Sequence, residues 1–138
     1  MKKILVSLFT ISALVACEKE DKTPDPVKDA LATLQGKYLV CDSVKTTANG
    51  VTTKQVLGKG KGWDRSFGLY GNLDIYSSPT VYKNYSYGSP DKIYYWNTGS
   101  SYQADQFYTI LSVNSSKLVV VENDKAAGKV YTEYFTAE

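Results

Sequence analysis

Apolar and polar positions along this chain follow three successive patterns. Residues 4–16 form an uncharged, largely apolar run behind Lys2 and Lys3. That run is shorter than the roughly 20 residues a membrane-spanning helix needs. Further on, Val27, Ala30, Leu31 and Leu34 recur on one helical face. Asp25 followed by Pro26 reads as an N-cap with proline in the first helical position, and Gly36 as a stop. A short helix over 26–35 is predicted. From Lys37 onward the period drops to two, and Val, Ile, Thr and Tyr dominate. Nine strands are predicted, over 37–45, 51–57, 65–69, 73–77, 80–87, 92–96, 105–113, 117–122 and 129–136. Turn-forming residues separate most of them, among them Asn49-Gly50, Gly71-Asn72, Pro90-Asp91, Asn114-Ser115-Ser116 and Asn123-Asp124.

Strands joined by short turns pair antiparallel with their neighbours and give a meander. Parity along the strands predicts the inner face. Phe67, Leu69, Leu73 and Ile75 fall on one side, as do Phe107, Thr109, Leu111 and Val113, with Leu118 and Val120 continuing the surface. A meander this long exposes edges unless it closes on itself. The expected fold class is therefore all-β: a small antiparallel meander closed into an up-and-down barrel, preceded by one short helix. A sandwich or a curved open sheet is the alternative.

The first segment reads as an address. A basic start, a short apolar stretch and small residues before Cys17 have the form of an export signal. Leu14-Val15-Ala16-Cys17 resembles the lipobox of bacterial lipoproteins, which implies lipidation of Cys17 after cleavage before it. The expected organisation is a signal peptide over 1–16, a lipidated tether over 17–25 and a β-barrel domain over 26–138. Cys17-Glu18-Lys19-Glu20-Asp21 also resembles the export signal of surface lipoproteins of the Bacteroidota. The implied location is the outer membrane, facing outward, with a periplasm-facing anchor as the alternative. Cleavage removes two of the 16 basic residues and leaves 14 against 14 acidic ones. A neutral chain carries no electrostatic footprint for nucleic acid. With Cys17 lipidated, Cys41 has no disulfide partner and is expected as a small core residue.

Two stretches resemble a family. "LATLQGKYLVCDS" is similar to the entry into the first strand of lipocalin-like domains, and "QFYTILSVNSSKLVVVENDKAAGKVYTEYFTA" to the ending of lipocalin-like lipoproteins of the Bacteroidota. The resemblance implies a small barrel and a lipid anchor, usually with no known activity. Tyr38 stands where lipocalins proper usually carry tryptophan, and the last strand has no arginine, since Arg65 is the only one in the chain.

Chemistry in the barrel domain is sparse. "GKGKGWDR" places Trp63 where a phosphate-binding loop needs its second glycine, and a strand follows it rather than a helix. It reads as a basic connection, or as a flap with Trp63 as its contact. The chain has no histidine, so the commonest general base and metal ligand are missing. Asp64, Asp74, Asp91, Asp105, Glu122 and Glu133 are spread singly. Neither catalytic residues, a metal site nor a cofactor are expected, and the chain is not read as an enzyme. The unusual feature is 12 tyrosines, whose flat faces and hydroxyls suit sugars or protein partners. Trp63, Tyr82, Tyr85, Tyr94, Trp96 and Tyr102 are the candidate ligand contacts. The expected function is a membrane-anchored, lipocalin-like binding lipoprotein holding a small apolar or glycan ligand in an aromatic-rich barrel. The alternative is an accessory lipoprotein without a pocket, acting through an exposed aromatic face. Oligomeric state is not readable from the sequence.

Overall fold

A computed structural model describes residues 24–138 except Ser89. The expected signal peptide, Cys17 and most of the tether lie outside the described residues. Among those described are one helix and nine strands. Helix α1 (Pro26–Ala32) begins as predicted: the Asp25 carboxylate accepts from the Val27 and Lys28 amides, both at 3.1 Å. The strands are β1 (Tyr38–Ala48), β2 (Val51–Val56), β3 (Asp64–Phe67), β4 (Asn72–Tyr76), β5 (Val81–Gly88), β6 (Lys92–Asn97), β7 (Phe107–Val113), β8 (Lys117–Asp124) and β9 (Lys129–Ala137). All pairings are antiparallel, and β9 pairs back onto β1. Eight strands thus close a barrel, and β2 stands outside it.

The meander breaks only at β2, which pairs with β1 and not with β3. Every residue of β2 is exposed, because "VTTKQV" offers no apolar face to bury. Strand β1 is long enough to serve two partners on the same side. Its first residues, Tyr38 and Leu39, pair with β3, and Ser43 to Ala48 pair with β2 across the Asn49-Gly50 turn. Both turn residues have positive φ, as a two-residue hairpin of this type requires.

Asp64 holds the fork. Its Oδ1 accepts from the Cys41 amide at 2.9 Å, at the point where β1 has left β3. Its Oδ2 accepts from the Gly60 amide at 2.6 Å and the Tyr38 hydroxyl at 2.7 Å. The 57–63 connection is thereby drawn across the gap, and Leu57 and Trp63 pack against the core there.

The core fills the barrel from the helix end. Leu31 and Leu34 of the α1 segment meet Leu39, Phe67, Leu73, Ile93, Leu118 and Phe135, all buried. Two expectations about the inner face fail. Leu69 is 69% exposed, because the chain has already turned after β3. In β7 the buried residues are Tyr108 and Ile110, and Leu111 is 59% exposed. A bulge between Ile110 and Ser112 shifts the register, so Val113 returns to the inside while Phe107 and Thr109 do not. Cys41 is buried as expected, and burial pushes its thiol up to about 12.

Candidate binding site

At the end away from α1 the interior turns polar. Arg65 and Phe67 alternate with Ser66, so β3 sends its arginine inward. Glu133 shares the parity of Tyr131 and Phe135 on β9. The Arg65 Nη2 donates to Glu133 Oε2 at 3.2 Å, and Nη1 donates to the carbonyls of Trp63 at 2.6 Å and Asp64 at 3.2 Å. Its guanidinium lies 5.9 Å from the Phe135 ring. The buried Tyr108 hydroxyl and the same guanidinium influence each other electrostatically. Glu133 is fully buried. Desolvation raises its carboxyl to about 7, against the opposing pull of Arg65 and with a further push from Glu122. Desolvation also raises the Tyr95 and Tyr108 hydroxyls.

Above this layer the barrel opens into a cleft of about 290 Å³. Lys83, Tyr95, Glu122, Asn123 and the Asp105–Phe107 segment are among the residues around it. The Tyr95 hydroxyl donates to Glu122, and the Lys83 ammonium sits 4.8 Å from the Tyr95 ring centre. The cleft therefore presents an aromatic ring, the carboxylates of Asp105, Glu122 and Asp124, amides, and the ammonium groups of Lys83 and Lys125.

Outside the wall, an aromatic strip leads to the cleft. Tyr94 and Trp96 have the opposite parity to Ile93 and Tyr95, so they face outward. Trp96 meets Tyr102 at 5.5 Å, Tyr102 meets Tyr94 at 5.4 Å, and Tyr94 meets Phe107 at 5.7 Å between ring centres. Lys92 lies 4.4 Å from the Phe107 ring centre. Gly88 lets Tyr94 lie against the backbone: a Cβ there would come within 2.3 Å of that ring. Phe107 belongs to both the strip and the cleft lining.

The six candidate contacts thus fall in four places. Tyr94, Trp96 and Tyr102 come together, but on the outer face rather than in the barrel. Tyr82 is 65% exposed and touches none of those rings in the described contacts. Tyr85 is buried at the helix end, donating to the Gly68 carbonyl at 3.0 Å and accepting from Gln35 at 2.7 Å. Trp63 packs on Tyr131 at 5.6 Å over the fork. The interior polar layer was not singled out from the sequence. Parity was the available signal, because Arg65 and Glu133 occupy inward positions in otherwise apolar alternations.

No protein-family model, no curated protein and no solved structure matches the chain. What fold and site define is a class: a closed eight-stranded antiparallel barrel, packed at one end and polar at the other.

Proposed function

We propose that the protein is a membrane-anchored binding lipoprotein whose ligand is a glycan, contacted at the barrel rim rather than swallowed by the barrel. The observation that carries this reading is the continuity of the Trp96–Tyr102–Tyr94–Phe107 strip with the polar cleft through Phe107. Sugars combine apolar ring faces with hydroxyls. A row of part-exposed rings leading to Glu122, Asn123 and Lys83 matches both. A purely apolar ligand fits less well, since the apolar half of the interior is occupied by side chains. Hydrolysis of the bound glycan is not part of the reading.

In this reading Cys17 carries the lipid, the tether places the barrel beyond the outer membrane surface, and the rim meets extracellular polysaccharide. The test is a glycan array followed by calorimetry on the mature domain. Trp96→Ala and Tyr102→Ala should each weaken binding by about tenfold, equivalent to about 1.4 kcal/mol, and Glu122→Gln by a comparable factor. Millimolar oligosaccharides without measurable heat, or binding indifferent to all three substitutions, would overturn the proposal.

A further inference from the structure

The interior layer holds charged groups that the rim contact does not use. Glu133 lies between Val44 of β1 and Val120 of β8 in register. The titratable groups acting on it or with it are Arg65 of β3, Glu122 of β8, Tyr108 of β7, Tyr95 of β6 and Cys41 of β1. One oxygen, Oε2, is bonded to Arg65, while Oε1 has no partner, and Arg65 Nε has none either. A buried carboxylate with an empty oxygen is costly as an anion. Glu122 sits at the next inward position toward the cleft, opposite Tyr131, where it accepts from Tyr95. The guanidinium is thus bonded to the inner, sealed carboxylate, while the outer one, open to ligand, acts on it only through its charge.

We propose that Glu133 is a proton-binding site that controls the cleft: protonated, it leaves Arg65 to draw Glu122 inward, and ionised, it satisfies Arg65 and leaves Glu122 to face the ligand. This inference rests on the rim reading for its consequence, since Glu122 is the carboxylate of that contact. Burial places the transition near neutrality, at about 7. Glycan affinity should rise as pH increases through that value.

The decisive experiment needs no ligand. The mature domain, labelled with carbon-13 at glutamate carboxyls and tyrosine rings, is titrated by NMR. The Glu133 carboxyl should titrate within ~1 unit of pH 7, and the Glu122 and Tyr95 signals should shift with the same midpoint. Glu133→Gln should remove that inflection from the Tyr95 ring, and Glu122→Gln should move the Glu133 midpoint down. A Glu133 carboxyl that titrates below pH ~5.5, or Glu122 and Tyr95 signals that ignore its midpoint, overturns the inference. If Glu133→Gln does not fold, the titration of the unaltered domain decides alone. Failure of the glycan array leaves a positive titration standing, and a flat titration leaves glycan binding standing, so the two proposals fail separately.

Discussion

Replacing Asp64 by asparagine tests the account of the fork most directly. The carboxylate accepts from the Cys41 amide, the Gly60 amide and the Tyr38 hydroxyl. Asparagine keeps one acceptor oxygen and puts an NH2 group where the other stood. With its oxygen toward Cys41, the Gly60 amide faces a donor; flipped, the Cys41 amide does. One backbone donor is orphaned either way, at about 1–3 kcal/mol, and the surviving bonds lose their charge assistance. With about 1 kcal/mol for the lost charge assistance the total comes to about 2–4 kcal/mol, a large part of the roughly 5–15 kcal/mol that holds a domain together. Urea unfolding at pH 7, followed by tryptophan fluorescence, would measure it, with amide exchange at Cys41 and Gly60 as the local readout. Burial pushes the Asp64 carboxyl up, but the bonds from Gly60, Cys41 and Tyr38, with Arg65 beside it, outweigh that and hold it below its ordinary value. Its stabilisation is therefore present above that ordinary value and lost as pH falls through the folded one. Asp64→Asn should remove this acid-labile part. A loss under about 1 kcal/mol with unchanged exchange at Cys41 and Gly60 would refute the reasoning, because orphaned donors cannot be that cheap.

Glu133 should act with the opposite sign. Its folded value of about 7 exceeds the ordinary 4.5, so its stabilisation is complete below 4.5 and lost as pH rises to 7, amounting to about 3 kcal/mol at 1.36 kcal/mol per unit. Urea midpoints across pH 5–8 should fall in the native chain and stay level in Glu133→Gln. Leu34→Ala empties the apolar plug at the helix end and should cost about 2–5 kcal/mol, measured by the same unfolding. Cys17→Ala should abolish incorporation of a clickable fatty acid and release the chain from the membrane fraction, whereas labelling of the alanine variant would place the lipid elsewhere. Gly88→Ala should shift the Tyr94 ring resonances and weaken glycan binding while leaving the fold intact by circular dichroism, since the three atoms nearest the added methyl all belong to that ring.

Period-two alternation carried most of the fold: each predicted strand overlaps an observed one, and Asp25 caps α1 as its sequence position requires. What alternation does not carry is any event that changes register or partner. The β7 bulge inverted the inner face, because a single extra residue is invisible in a run as uniform as "FYTILSV". The exclusion of β2 depends on Asp64 capping an amide 23 residues earlier in the chain, a non-local contact that no window of neighbours contains. The binding residues divided in the same way. Trp96, Tyr94 and Tyr102 were selected for their chemistry, and the sheet does bring them together. They lie on the outer wall, the side of the alternative with an exposed aromatic face, rather than in the barrel interior. Arg65 and Glu133 went unselected because each looks unremarkable alone and gains meaning only when strands β3 and β9 are brought to face across the barrel.

The eight seams of the barrel are not equally stitched. Between β1 and β3 the ladder is only Tyr38↔Ser66 and Leu39↔Arg65, with the Asp64 carboxylate just above. If the chain is suspended from its N-terminus, as proposed, a tug would meet the buried Leu31 and Leu34, then the Gly36 amide bonded to the Phe67 carbonyl, and then Tyr38 on that shortest seam. On that premise the barrel would be fastened most thinly near the end that a leash pulls, with the Asp64 carboxylate as the rivet across the fork.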